Sequence, residues 1–112
     1  MRPIYKIVGR AEWTAAEAAG RFEGSAVDLA DGYIHFSEAG QLRETARKHF
    51  AGKTDLLLVT IDADQLDPPA IWEPSRGGAL FPHLYAPLPV AAAVEIRPLV
   101  VDAEASALAE FD

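Results

Sequence analysis

The segment DGYIHFSEAGQLRETARKHF, residues 31–50, predicts a β-strand that leads directly into an α-helix. Its first two residues, Asp-Gly, are typical of a turn. Ile34 and Phe36 then alternate with polar residues, as in a strand with one buried face. From Ala39 to Phe50 the apolar residues recur instead at the three- and four-residue spacing of an amphipathic helix. This change of period predicts a domain that combines helices with a sheet.

The rest of the chain extends this α+β pattern. Residues 4–8 predict a first strand, and the continuous apolar run at residues 56–61 predicts a central strand that is buried on both faces. The capping-box pattern TAAE at residues 14–17 predicts the start of a short helix, which would end at Gly20. A late strand is expected at residues 94–99. We therefore predict an α+β fold with one mixed β-sheet and two or three helices.

Length and composition narrow the class of protein. With 112 residues, 50% of them hydrophobic, we predict a single domain, residues 1–112, whose acidic, alanine-rich tail at residues 102–112 is helical or frayed. The absence of cysteine excludes disulfides, zinc–thiolate sites and a cysteine nucleophile. A net charge of −7 argues against general nucleic-acid binding. Without a signal peptide or a run of roughly twenty apolar residues, we expect a cytoplasmic protein with no membrane association.

The first histidine segment predicts a polar face beside a helix N-terminus. Because side chains alternate along a strand, Tyr33, His35 and Ser37 point away from the core pair Ile34 and Phe36. The free backbone amides of the following helix can bind an anion there. We predict His35 as a catalytic residue and Tyr33 and Ser37 as ligand contacts. The alternatives are that His35 bonds a neighbouring loop and that Ser37 only caps the helix.

The second histidine segment, Phe81-Pro82-His83-Leu84-Tyr85, predicts a wall of rings. In an extended conformation Phe81, His83 and Tyr85 share one face, and Pro82 indicates an edge or a loop. Such a wall suits stacking on a planar base or a nicotinamide ring, so we predict Phe81 and Tyr85 as ligand contacts and His83 as catalytic. The alternative is a structural corner in which Phe81 and Tyr85 belong to the core.

Two further residues are candidates. Glu73 follows Trp72, and an apolar setting beside the indole would shift its pKa as a general acid requires. The alternative is a solvated loop glutamate. Arg76 precedes two glycines, which predicts a close approach to a phosphate. A metal set of His35, His83 and Glu73 lacks any diagnostic short spacing, so no metal site is predicted.

The motifs GYIHFS, WE and FPHLYAPL together resemble the bacterial and plant family called domain of unknown function 952, over essentially the whole chain. The resemblance implies an ADP-ribosyltransferase-like fold with NAD or an ADP-ribose-type nucleotide as substrate or ligand. By that similarity His35 falls in the nucleotide pocket, and Tyr5 or Lys6 takes the ligand-contacting position on the first strand. Lys6 is therefore a predicted ligand contact. Glu73 and Glu95 are both candidates for the late catalytic glutamate.

Three hypotheses about function follow. The first is an enzyme that acts on a nicotinamide or ADP-ribose-type nucleotide, as a transferase or an NAD glycohydrolase. The second is a small-ligand-binding or regulatory module that uses the same cleft without chemistry. The third is a hydrolase in which His35 and His83 serve as acid and base. The sequence leaves open whether the protein is catalytic, and it leaves the oligomeric state open.

Overall fold

The computed structural model describes the backbone of residues 1–112 and every side chain except that of Arg76. The strands are β1 (Pro3–Gly9), β2 (Arg21–Phe22), β3 (Ile34–His35), β4 (Leu56–Asp62), β5 (Ile71–Pro74), β6 (Leu80–Leu84), β7 (Leu88–Pro89) and β8 (Ala93–Leu99). The α-helices are α1 (Arg10–Ala19), α2 (Ala26–Asp31) and α3 (Ala39–His49). Short 3₁₀ helices span Ala63–Gln65, Arg76–Gly78, Val90–Ala92 and Ser106–Phe111. Across this described chain, no helix is both long and apolar enough to cross a membrane.

The strands form three antiparallel sheets. One has the order β1-β4-β8, a second has the order β3-β6-β5, and β2 pairs with β7. The predicted α+β class is confirmed, whereas the prediction of one mixed sheet is wrong. Side-chain periodicity identifies a strand and its buried face, but it carries no information about which strand becomes the hydrogen-bonding partner.

Two apolar clusters lie on opposite faces of β4, and all seven residues of β4 are buried, as predicted for a central strand. On one face, Val59 and Ile61 pack with Trp13 of α1 and with Ile34 of β3. On the other face, Leu58 packs with residues of α3 and of the C-terminal tail. The strand is therefore the shared centre of both clusters, which explains its continuous run of apolar residues.

Helix α1 begins earlier than the sequence predicts. Its N-cap is Gly9, and the backbone amide of Gly9 donates to Glu12 Oε1 over 3.3 Å. Thr14 lies exposed within the helix, so the prediction of a capping box at Thr14 is wrong. Glu12, rather than the predicted Glu17, accepts a hydrogen bond from a free backbone amide at the start of the helix. The helix ends as predicted at Gly20, whose φ of 85° is the left-handed conformation that favours glycine.

The C-terminal tail packs against α3 and β1. Leu108 of the 3₁₀ helix Ser106–Phe111 is fully buried in the second cluster. The ring of Phe111 meets the ring of Tyr5 edge to face, with centroids 5.1 Å apart. Arg43 of α3 donates to Asp112 Oδ2 over 2.6 Å. The tail therefore covers one face of the β1-β4-β8 sheet.

A single β-bridge joins the two three-stranded sheets. The backbone amide of Tyr5 donates to the carbonyl of Ser37, and that of Ser37 donates to the carbonyl of Tyr5, each over 2.9 Å. The bridge places β3 beside β1, next to the buried side chain of Lys6. We call β3, β6 and β5 the site sheet, because the candidate residues lie on its outer face.

Candidate functional site

The two histidine segments lie side by side on the outer face of the site sheet. His35 of β3 is paired directly with His83 of β6, so their side chains share a face. Tyr33 lies against both imidazoles and against Tyr85, with ring centroids 4.7, 4.2 and 5.1 Å from those of His35, His83 and Tyr85. The two imidazoles are 5.4 Å apart. We call Tyr33, His35, His83 and Tyr85 the ring cluster.

Glu73 of β5 closes one side of the ring cluster. Its Oε1 accepts hydrogen bonds from Tyr85 Oη over 2.7 Å and from His83 Nδ1 over 2.8 Å. These bonds, that from Tyr85 first, lower the pKa of Glu73 below its usual value. The same carboxylate raises the pKa of the Tyr85 phenol to about 12. Glu73 is therefore an ionised hydrogen-bond acceptor at neutral pH.

The prediction that Trp72 gives Glu73 an apolar setting is wrong. Neighbouring residues of a strand point to opposite faces, so the indole of Trp72 lies on the inner side of β5. The indole packs against the first apolar cluster, and its Nε1 donates to Glu38 Oε2 over 2.8 Å. Glu73 accordingly lacks the raised pKa of a general acid.

Beneath the ring cluster, the carboxylate of Asp28 is buried at the centre of a polar network. Its Oδ2 accepts from Lys6 Nζ over 2.8 Å, and its Oδ1 lies 2.6 Å from His35 Nδ1. The backbone amides of Ser25 and His35 also donate to this carboxylate, over 2.9 and 3.1 Å. Sequence reasoning missed Asp28 because it missed helix α2. The available signal was Ser25 followed three residues later by an acidic residue, a helix-start pattern.

The electrostatics of this network favour a charged Asp28. Burial alone would raise the pKa of Asp28, but the hydrogen bond with His35 and the charge of Lys6 outweigh it and lower the pKa to about 2. For Lys6, burial is the largest influence and lowers the pKa, against the opposing attraction of Asp28. The Lys6 ammonium also donates to the carbonyl of His35 over 2.9 Å. Lys6 thus supports β3 from below.

His35 is held between two carboxylates. Its Nδ1 faces buried Asp28, and its Nε2 lies 2.9 Å from Oδ2 of the more exposed Asp31. The ring can donate to both carboxylates only in its doubly protonated form. In the neutral form, the bond to Asp28 fixes the proton on Nδ1 and leaves the lone pair of Nε2 facing the Asp31 carboxylate. Nε2 can therefore serve a ligand as a proton acceptor only when Asp31 turns away from it.

Ser37 has a structural position. It is buried, and its hydroxyl donates to Thr45 Oγ1 over 3.3 Å. The N-cap of α3 is Glu38, whose backbone amide donates to Gln41 Oε1 over 3.0 Å, so the interpretation of Ser37 as the cap is wrong. Because Glu38 places a carboxylate of the protein at this helix N-terminus, the position is unfavourable for an added anion.

The other candidates are more scattered. Phe81, half-buried, is paired with Glu73 across β5 and β6 and so lies on the same face as the ring cluster. The side chain of Arg76 lies outside the described part of the structure. Glu95 is an exposed residue of β8, paired with Thr60 in the other three-stranded sheet. Of the two candidate late glutamates, only Glu73 therefore lies at the ring cluster.

A cleft of about 250 Å³ runs along one side of the ring cluster. It is lined by Tyr33 and Tyr85, with Leu29 and Pro87 as apolar walls and Glu23 as an acidic one. A second cavity, of about 440 Å³, lies elsewhere, beside the guanidinium of Arg2, which stacks 3.8 Å over the Trp72 ring. Among the described side chains, no three His, Asp or Glu residues gather into a metal-binding group.

Two comparisons place this α+β chain among known proteins. The family model described as a protein of unknown function, DUF952, matches residues 7–96. The chain belongs to this family, which confirms the resemblance seen in its motifs. No curated protein matches the chain.

Solved structures of one bacterial protein share the fold. The crystal structure of protein CC0527 from Caulobacter crescentus is 52% identical, with 96% of this chain and 98% of that chain covered and a TM-score of 0.88. The solution NMR structure of CC0527 is 54% identical over 94% of this chain and 90% of that chain, with a TM-score of 0.81. These similarities establish the fold and the family, and they assign no activity.

The low pKa of Asp28 predicts a dependence of stability on acid. Because the pKa is about 2 in the folded chain against an ordinary 3.8, the folded state binds fewer protons than the unfolded state between these values. The stabilisation is complete above the ordinary value and is lost as pH falls through about 2; it amounts to roughly 2 kcal/mol. The ¹³C resonance of the Asp28 carboxyl, followed from pH 6 downward, should titrate near 2. A midpoint near 3.8 would contradict the network.

Proposed function

We propose that this protein binds a small molecule with a planar ring, of the NAD or ADP-ribose type, at the ring cluster and the adjoining cleft. The observation that carries the proposal is the convergence of four ring side chains on one sheet face, with Tyr33 and Tyr85 at the border of the cleft. Aromatic faces stack on planar rings, and a few polar groups beside them fix the orientation. The ADP-ribosyltransferase-like fold that the family resemblance implies supports the same class of ligand.

The charges around the cleft indicate which part of such a ligand would enter it. Glu23 and Asp28 line the cleft, and Asp31 and Glu73 flank the ring cluster. Carboxylates of this kind disfavour a pyrophosphate and favour a cation. The oxidised nicotinamide ring carries a positive charge, which also interacts favourably with the face of a tyrosine. We therefore place the nicotinamide end of NAD at the cleft and its pyrophosphate away from Asp31 and Glu73.

His35 is the residue that would decide between binding and catalysis. Asp28 and Lys6 hold it from below, and its Nε2 becomes available to a ligand if the side chain of Asp31, 2.9 Å away, turns aside. An NAD glycohydrolase would use such a base to activate the water that replaces nicotinamide. The structure gives less support to a hydrolase with paired histidines, since His83 is only 2% exposed and its Nδ1 is bonded to Glu73.

Titration with NAD and with ADP-ribose, followed by NMR, tests the proposal. We expect NAD to shift the resonances of Tyr33, His35 and Tyr85, and we expect Tyr33→Ala to weaken NAD binding by about tenfold or more, since stacking on one aromatic ring contributes roughly 1–3 kcal/mol. Tyr33→Phe is the matched control, because it keeps the ring and should keep most of the affinity. His35→Ala tests whether the imidazole contributes to the same binding.

Measuring the release of nicotinamide from NAD over hours distinguishes a binding module from an NAD-consuming enzyme. Binding without release identifies a binding module, whereas release that is lost in His35→Ala identifies an NAD-consuming enzyme. If neither nucleotide moves any resonance of the ring cluster, the nucleotide proposal is refuted.

A further inference from the structure

One nitrogen of the ring cluster has no partner. His83 is 2% exposed, and its Nε2 is buried without a hydrogen bond to any described residue. Buried polar atoms are nearly always bonded, and an unsatisfied one is unfavourable. The other candidate of this kind, Trp13 Nε1, lies within the first apolar cluster. His83 Nε2 lies instead beside residues that border a cleft.

The contacts of His83 fix its protonation pattern. Glu73 is ionised at neutral pH and can only accept, so His83 must donate from Nδ1, 2.8 Å away. In the neutral imidazole this leaves Nε2 as an acceptor with a free lone pair. A doubly protonated ring would instead bury a charge with an unbonded N–H group, which is the more costly arrangement. The Nε2 atom is therefore a buried hydrogen-bond acceptor with no donor among the described residues.

The imidazole of His83 and the cleft share one neighbour, Tyr33. Nδ1 is turned toward the carboxylate of β5, and Nε2 is on the other side of the imidazole from that bond. Tyr33 covers the ring at a centroid distance of 4.2 Å, and the same tyrosine borders the cleft. Tyr33 follows Gly32, the left-handed C-cap of α2 with φ 87°, and its own ring is half-buried. His83 itself does not line the cleft, so a ligand in the cleft meets its imidazole only if the side chain of Tyr33 moves.

From these contacts we infer that the ligand bears an exocyclic N–H group on its planar ring, and that this group donates a hydrogen bond to His83 Nε2 when Tyr33 turns aside. The inference rests on the proposed function and specifies the chemistry of the ligand. A primary carboxamide, as on nicotinamide, and a ring amine, as on adenine, both supply such a donor. A planar ring without an N–H group leaves the acceptor unsatisfied and is discriminated against.

Two pairs of neutral compounds test this inference on the unmodified protein. Nicotinamide is compared with methyl nicotinate, and adenosine with purine riboside; in each pair only the first compound has the exocyclic N–H group. We expect the N–H member of at least one pair to bind roughly tenfold more tightly than its partner. The pair that shows this preference identifies the carboxamide or the amine as the donor.

The side-chain ¹⁵N resonances of His83 supply a direct readout. In the free protein they should show a proton on Nδ1 and none on Nε2. On binding of the preferred compound, the Nε2 resonance should move toward the protonated range while Nδ1 keeps its proton. His83→Asn retains an amide N–H near the position of Nδ1 for Glu73 but removes Nε2, so it should abolish the preference and keep the residual binding.

The outcomes distinguish this inference from the proposed function. Equal binding of both members of each pair, with shifts in the ring cluster, overturns the inference and leaves the proposed function standing. A preference that persists in His83→Asn, or an Nε2 resonance that the ligands do not move because a bound water already occupies it, also overturns the inference. If neither the pairs nor NAD shift any ring-cluster resonance, both fail.

Discussion

Replacing Asp28 with asparagine is expected to lower the free energy of unfolding by about 3–5 kcal/mol, the usual effect of breaking a buried ion pair from one side. The substitution preserves the shape of the side chain but removes its charge. Lys6, only 7% exposed, then carries an ammonium with no buried counter-charge. The bond to His35 Nδ1 weakens at the same time, because a neutral amide is a poorer acceptor than a carboxylate. Urea unfolding at pH 7 measures the loss.

The partner residues provide the controls for this prediction. Lys6→Met leaves Asp28 with its bonds to His35 and to the backbone of Ser25, so its effect should be smaller. Adding Lys6→Met to Asp28→Asn should recover part of the stability, since the unpaired ammonium is gone. Asp31 contacts the same imidazole but is about half exposed. Asp31→Asn should therefore lower the free energy of unfolding by much less than Asp28→Asn does. A loss below about 1 kcal/mol in Asp28→Asn would show that the network does not hold the fold together.

Replacing Leu108 with alanine is expected to lower the free energy of unfolding by about 2–5 kcal/mol, the range for removing a buried leucine side chain. Leu108 is fully buried in the second apolar cluster although it lies four residues from Asp112, in a tail rich in alanine and acidic residues. The substitution leaves a cavity between the tail, α3 and β4. Chemical denaturation measures the change.

A neighbouring exposed residue is the matched control for Leu108. Val100→Ala removes apolar side-chain atoms from a residue that is 78% exposed, and it should change stability by less than about 0.5 kcal/mol. If Leu108→Ala were as mild as Val100→Ala, the tail would not be an integral part of the core. Loss of the edge-to-face contact between Tyr5 and Phe111 in the Leu108 variant would show that the cavity loosens the whole tail.

The features that the sequence predicted correctly are those that depend on neighbours along the chain. The apolar run of β4, the buried Leu42 and Ala46 of α3, and the shared face of His83 and Tyr85 follow from the two-residue and 3.6-residue periods. Each period is a local property of the backbone. The proposal of a ring-lined face could therefore be made before the pairing of the strands was known.

The features that the sequence missed depend on contacts between distant segments. The division into three antiparallel sheets follows from pairings such as β3 with β6, which no local period encodes. The lowered pKa of Glu73 arises from Tyr85, twelve residues away, through the register of β5 and β6. In the sequence alone, Asp28 resembles an ordinary surface carboxylate, because only the folded structure brings Lys6 into contact with it. The electrostatics of the site are thus a product of tertiary structure.

The junction between the two larger sheets has a mechanical consequence. The β-bridge of Tyr5 and the ammonium of Lys6 are adjacent along β1, and both link β1 to the segment that contains β3. The site sheet is also held to β4 by apolar packing, since Ile34 shares the first cluster with Val59 and Ile61. Separating the two sheets therefore requires that packing to open as well, while the β1–β4 ladder of seven residue pairs can stay intact. Because Lys6 holds the carbonyl of His35, a displacement of that histidine's backbone would act directly on β1, which is paired along its length with β4.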